Sequence, residues 1–519
     1  SNERAHPWMD EGINTFYEGQ IEQSIKDEKY NTSKKDRGFE LGTYFLYDLA
    51  AKQNTDQPID IAATQFTKTN YGGIVYGKAA KMFSYLNEYL GAAIFEKCMK
   101  TYYNEWQYKH PYPEDIRAIF EKASGQNLSW FFDDCIRSNK KIDFAIKKVS
   151  KDKEMVSVRI KNRTHFTGPT SVSAFTGDSL LQTQWISYPY DSNVTFDNTG
   201  KKISQIRINH SKNLPEINLH NNYYYSKGLF KKSALRIKPG TSIGLTKYRD
   251  LYLLPAAGYN VHDKTMLGIV FHNIKIPNNP FQFALAPMIS LGTKQLVGTG
   301  IIGYSFFPKK IKRLTLAIQG NTFHHQSSDL NISNPLFVRH IKIAPSLSID
   351  FAQKNMRVPT ADNLLLRYIL VKNQNFSYQL NPTDSLYRPL INNYVSQYYL
   401  NARFSHKNNR TLNPFSYELN AVGNQYFAKL GLTAKLRIDY HLKNKSFYVR
   451  GFAGKFFDFK TATVSQNLSP QYLNATSTEV NDYNYDETFV ARNQQKGVLA
   501  QQISTEEGGL KIRTNLYAN

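Results

Sequence analysis

The stretch KLGLTAKLRIDYHL, residues 429–442, alternates without a break. Leu430, Leu432, Ala434, Leu436, Ile438, Tyr440 and Leu442 share one face. Lys429, Gly431, Thr433, Lys435, Arg437, Asp439 and His441 share the other, which is the period of two that a strand requires. A soluble strand averages about five or six residues, whereas a strand crossing a bilayer with tilt needs about 9–11. HIKIAPSLSIDF (340–351) repeats the pattern, and FQFALAPMISL (281–291), RLTLAIQGN (313–321) and QYYLNARFS (397–405) follow it. About a dozen such segments, joined by turns rich in Asn, Asp, Gly and Lys, predict a large antiparallel β-barrel from about residue 228 onward. If apolar side chains meet lipid, the strands must close, because an open edge in lipid leaves backbone groups unpaired at several kcal/mol each. Alternation alone also admits a soluble sandwich or barrel whose apolar face meets a core. Strand length and the 35 Tyr and 32 Phe favour lipid.

The 519 residues suffice for two to four domains, and a 41% hydrophobic content excludes global disorder. The formal charge is +23, but its cations are scattered in small knots such as KKIDFAIKKVSKDK (140–153). Nothing concentrates them into a recognition helix or arm, so no nucleic-acid partner is expected. An anionic lipid surface suits the surplus equally well. Cys98 and Cys135 form neither C-x-x-C nor a disulfide framework and are expected to be buried free thiols. No run of 18 apolar residues predicts a membrane-spanning helix.

Working back from the barrel, residues 140–227 read as short strands. MVSVRI places Val156, Val158 and Ile160 on one face, and Gly168-Pro169 and Asn198-Thr199-Gly200 mark turns. A small β-sandwich is expected there. Residues 1–139 read as helical, with Trp8, Met9, Ile13, Phe16, Tyr17 and Ile21 at helical spacing. PEDIRAIFEKASG carries Pro113 at a first-turn position and Gly125 as a stop, and Ser129 is expected to cap the next helix. The expected fold is therefore multidomain α+β: helical residues 1–139, a β-sandwich at 140–227 and a β-barrel at 228–519.

The opening helix carries a carboxylate, Glu11, with Glu18 seven residues on and nearly on the same face. By itself such a residue is usually solvated, although a helical carboxylate can ligate zinc when two histidines arrive from a second helix. WMDEGINTFYE (8–18) resembles the W-L-N-E-G-F-A-x-Y-x-E segment of the membrane alanyl aminopeptidase family, the gluzincin zinc peptidases. IVYGKAAKMFSYLNEYLG (74–91) is similar to that family's Y-x-K-G segment, and residues 113–132 match its D-x-x-x-x-x-E-x-x-S-G-x-x-L-x-W-F-F ending. The resemblance, which covers residues 1 to about 225, implies that Glu11 is the third zinc ligand. It also implies that Tyr76 hydrogen-bonds the tetrahedral intermediate. Asp10 stands where the family usually has Asn, and Ala79 where it has Gly; Lys78 matches.

No H-E-x-x-H occurs in the 519 residues, and neither does G-x-M-E-N. The expectation is a chain truncated at its start, with two zinc ligands and the general base upstream of Glu11. The resemblance then implies one Zn²⁺ site, peptide substrates and aminopeptidase-like hydrolysis by the parent, with the 519 residues alone inactive. No other cofactor is expected.

LYLLPAAGYNVHDKTMLGIVFHN (251–273) resembles the early strands of surface-antigen-type outer-membrane barrels. The chain's end, EEGGLKIRTNLYAN, begins a strand but lacks a terminal aromatic, which suggests truncation there as well. These features imply a bacterial outer membrane, lipid contact through the barrel and a periplasmic peptidase domain. Two alternatives remain open. One is a non-enzymatic transport or surface-binding barrel with a degenerate peptidase-like domain; the other is a soluble multidomain peptidase. His324-His325 have no carboxylate or thiol at ligand spacing and are expected in a loop or lumen, and YGGIVYG (71–77) lacks the G-K-[ST] of a phosphate loop.

Overall fold

The structure, a computed structural model, describes residues 2–30 and 43–459 apart from 189–192, 228–230, 232–233, 245, 261, 309, 329–334, 354, 384 and 441–444, together with 510–511 and 516–518. Contacts divide the chain into two units. The first is Ser1–Ile237 with Ser242–Leu251 and Lys275–Asn278; the second is Lys238–Thr241, Tyr252–Ile274 and Asn279–Asn519.

In the first unit, α1 (Trp8–Tyr30) and α2 (Thr43–Lys52) precede a π-helix, Tyr71–Lys78, that runs directly into the Ala79–Leu90 helix. Helices Ala92–Trp106 and Pro113–Ser124 and a second π-helix, Trp130–Ile136, complete the helical part. Pro113 starts its helix as expected, where a missing N–H costs nothing, and Asp115 accepts from the Tyr112 N–H at 2.8 Å. Gly125 closes the same helix at φ 67°, a left-handed cap suited to glycine. The expected Ser129 cap is not made. Ser129 is itself helical and its side chain caps nothing; its N–H instead donates to Asn127 Oδ1 at 2.9 Å.

Seven strands follow in two antiparallel sheets. One joins β1 (Phe144–Lys151), β2 (Met155–Asn162) and β5 (Asn193–Asp197). The other joins β3 (Thr170–Thr176), β4 (Ser179–Ile186), β6 (Gln205–Ile208) and β7 (Tyr223–Tyr225). Val156, Val158 and Ile160 are buried, as their alternation predicts. The helices and both sheets contribute to one apolar cluster that runs from Trp8 and Phe83 through Phe131 to Val158, Val172 and Ile206. Cys98 and Cys135 lie within it as free thiols.

The second unit is built on a fourteen-stranded antiparallel sheet whose neighbours largely follow chain order, beginning at Leu235–Pro239. A separate hairpin, Phe376–Leu380 with Tyr387–Ile391, is inserted between two of its strands. The strands are long: Ile311–Ser327 has 17 residues, Phe337–Phe351 has 15 and Phe427–Asp439 has 13. Among the described residues the pairings run from edge to edge, and none joins the first strand to the last. At the chain end, Leu510–Lys511 and Leu516–Ala518 are strands, while Ile512 lies outside the described residues, as do His441 and Leu442 of the long alternating segment.

Several strands of this sheet expose their apolar face, although Ile369, Val371, Tyr399 and Phe427 form a buried cluster. In Phe427–Asp439, Leu430, Leu432, Leu436 and Ile438 are 47%, 41%, 37% and 40% exposed. Leu316 and Ile318 point outward in the same way, whereas Asn321, His324, His340, Lys342 and Asn401 are buried. No described helix is long and apolar enough to cross a membrane, which leaves open a crossing by strands.

Candidate active site

Four contacts fix the first turn of α1. Asp60 Oδ1 accepts from Trp8 Nε1 at 3.0 Å and lies 2.6 Å from His6 Nδ1, so the residues just before Glu11 are tied to a distant loop. The Glu11 N–H donates to the Pro7 carbonyl at 3.1 Å, and the Glu11 carbonyl accepts from Thr15 Oγ1 at 2.7 Å. Asp10 and Glu11 therefore stand at the N-terminal end, where the helix dipole favours carboxylates.

Gly12 brings this turn against the segment that carries Tyr76. A Cβ on Gly12 would lie 2.6 Å from Ala79 Cβ and 3.1 Å from the Val75 carbonyl, so only glycine allows the approach. A second glycine acts in the same way. A Cβ on Gly73 would lie 2.8 Å from both Leu46 Cβ and the Tyr47 nitrogen, which seats the π-helix on α2. Tyr71-Gly-Gly is thus a packing device, and the segment forms no phosphate loop.

The two site residues read from the sequence come together. Tyr76 stands beside Glu11, and its phenol is pushed up to about 12 by burial and by its interaction with that carboxylate. Tyr76 is therefore a proton donor, not a phenolate, at neutral pH. Tyr71, which the sequence reading did not single out, packs edge-on against it with centroids 6.0 Å apart. Its phenol is also raised, by burial and by the charges of Glu11 and Glu3. The five-residue spacing of Tyr71 and Tyr76 would have revealed this only if the π-helical turn had been foreseen. Glu18 is exposed and takes no part.

In the second unit His324 is not in a loop. It lies within the strand Ile311–Ser327, and its Nδ1 is 2.5 Å from Asp263 Oδ1 with both side chains buried. The carboxylate comes from 61 residues earlier in the chain, which local spacing could not show. His262 Nδ1 lies 3.2 Å from Ser327 Oγ nearby. Among the described residues no three His, Cys, Asp or Glu side chains gather to hold a metal ion, here or around Glu11.

With this geometry in place, comparison with known families gives one match: residues 3–135 fit the Peptidase family M1 domain. That family is one of zinc metallopeptidases, and the match supports a peptidase-like function for the helical segment. Among solved structures the chain is similar to the crystal structure of Legionella pneumophila aminopeptidase A in complex with aspartic acid. The similarity is 15% identity at a TM-score of 0.30, covering 41% of this chain. The chain spans 24% of that structure's length. No curated protein matches the chain.

A catalytic zinc needs three protein ligands and an open position. Glu11 could offer one oxygen ligand from a half-buried position, but the described residues do not supply the other two.

Proposed function

We propose that residues 1 to about 225 belong to a zinc-dependent, aminopeptidase-like metallopeptidase that acts on peptides. Glu11 is one metal ligand and Tyr76 is the hydroxyl that stabilises the developing oxyanion. The observation that carries this reading is the placement of Tyr76 beside Glu11, with the Gly12 turn packed against Val75 and Ala79, inside a segment that fits the M1 domain. Bound zinc would supply an activated water and polarise the scissile carbonyl. The two histidines and the general base must come from outside these 519 residues, which by themselves are expected to be inactive. The test is the full-length protein as the cell makes it, purified and assayed for zinc content and for hydrolysis of aminoacyl and peptide reporters. About one zinc per chain and activity removed by a chelator and restored by zinc support the reading; metal-free protein with no hydrolysis sinks it.

The same proposal makes the fourteen-stranded sheet a closed barrel in a bacterial outer membrane, with lipid on its apolar face and the peptidase domain on the periplasmic side. The exposed leucines and buried polar side chains of the sheet support it. Leu432→Arg is expected to destabilise bilayer-inserted protein by about 2–4 kcal/mol if Leu432 sits near the midplane. Thr433→Asn, on the opposite face, should change little. Equal urea midpoints for the two variants in lipid vesicles would argue for a soluble sheet. A second reading is a non-enzymatic transport or surface-binding barrel with a degenerate peptidase-like domain. It draws support from the lack of a three-ligand cluster among the described residues. Zinc-free full-length protein would favour it.

A further inference from the structure

Two residues beyond Tyr76, Lys78 closes the π-helix with its side chain 1% exposed. Its Nζ makes no hydrogen bond and sits 5.2 Å from the centroid of the Tyr47 ring on α2. Asp56, also 1% exposed, gives one carboxylate oxygen to Lys141 Nζ and leaves the other without a hydrogen bond, and its charge acts directly on Lys78. The Tyr47 hydroxyl likewise makes no hydrogen bond. A lysine buried this completely is costly, and an apolar side chain of similar length is usually tolerated as well or better. Stability alone therefore does not account for it.

Lys78 stands where the helix changes register. The Ala79 N–H donates to the Ile74 carbonyl five residues back, so this turn contains one residue more than an α-turn. A return to α-geometry would rotate Tyr76 by about 100° relative to the residues after it, the angle of one residue at 3.6 per turn, and carry its hydroxyl off Glu11. Lys78 is the residue at the end of the widened turn, and its buried cation is drawn toward Tyr47 and Asp56.

We infer that Lys78 is a positioning residue: its buried ammonium, held over the Tyr47 ring of α2, keeps the π-helical turn that presents Tyr76 to Glu11. The inference rests on the reading of Tyr76 as the site's hydroxyl donor. Lys78→Met in the full-length protein separates positioning from mere structure. The first unit's urea midpoint, followed by tryptophan fluorescence, is expected to hold or rise. At the same time kcat should fall about 10²-fold, the scale of an ångström-level misplacement, with KM and zinc content unchanged. Backbone amide exchange should quicken in residues 71–79 and not in 80–90 beyond them. Lys78→Gln serves if the methionine variant does not fold. Unchanged exchange in 71–79 overturns the inference whether or not the protein is a peptidase, and so does unchanged kcat in an active enzyme. If the wild-type protein hydrolyses nothing, the peptidase reading fails on its own, and quickened exchange confined to 71–79 still supports Lys78 as the holder of the turn.

Discussion

In the full-length protein, Tyr76→Phe is expected to lower kcat by about 10²–10³, the range for losing one oxyanion donor, while zinc content stays at the wild-type level. Glu11→Ala is expected to remove zinc and activity together. The two variants differ because the two neighbouring side chains do different work. Glu11 offers oxygen to a metal. Tyr76 offers a proton, and burial together with the charge of Glu11 keeps that proton in place up to about pH 12. Phenylalanine keeps the ring and its edge-on contact with Tyr71, so only the hydroxyl is lost. Even the loss of a full hydrogen bond costs folding only about 0.5–1.5 kcal/mol, too small to explain a large fall in kcat by unfolding. A Tyr76→Phe enzyme with wild-type kcat would remove the oxyanion role. A Glu11→Ala protein that retains its zinc would remove Glu11 from the metal site.

How much of this was legible in the sequence depended on the range of the interaction. Leu430 to Ile438 announced their strand because period two is a local property, and the structure places those leucines on one exposed face. Pro113 and Gly125 marked a helix correctly for the same reason: a missing N–H and a left-handed cap are decided within one turn. Ser129 misled because it is itself helical, and the N–H groups it would have capped, those of Phe131 and Phe132, donate to the Leu128 carbonyl at 2.9 and 3.1 Å. Whether the long strands close was not legible in the sequence, since closure depends on pairing between distant edges.

The site divides in the same way. Glu11 and Tyr76 were readable only through their resemblance to a family, and nothing in a helical Glu or a Tyr beside glycines names a role by itself. Their meeting depends on Gly12 fitting against Ala79 and on a π-turn that adds a residue between Ile74 and Ala79. Neither is a matter of hydrophobic period. His6 and Asp60, 54 residues apart, and His324 and Asp263, 61 apart, were hidden for a plainer reason. Side-chain pairs at such separations leave no trace in a single sequence. The buried Lys78 was hidden too, because lysine is ordinarily a surface residue and its motif partner offered no reason to expect otherwise.

Raising the pH from about 5 to 8 is expected to destabilise the first unit, and Glu216→Gln is expected to flatten that dependence. Glu216 is 1% exposed at the junction of the two small sheets. Its Oε1 accepts from the Phe144 N–H at 2.8 Å and its Oε2 from Asn209 Nδ2 at 3.1 Å and from Asn222 Nδ2. Those donors favour the carboxylate, but burial outweighs them and pushes the group from 4.5 up to about 8. Between those values the folded state holds a proton that the unfolded state has released. Stability is therefore fully present below about pH 4.5 and is lost as pH rises toward 8, with a slope of at most about 1.4 kcal/mol per pH unit. Glutamine keeps one acceptor oxygen and carries no charge, so it removes the Glu216 share of the slope without opening a cavity and leaves the shares of Asp48 and Asp143, which burial also raises. All four tryptophans, Trp8, Trp106, Trp130 and Trp185, lie in the first unit, so urea titrations followed by their fluorescence report on it alone. Parallel pH profiles for wild-type and Glu216→Gln protein would mean that the three donors hold Glu216 as a carboxylate throughout and that burial is the weaker influence.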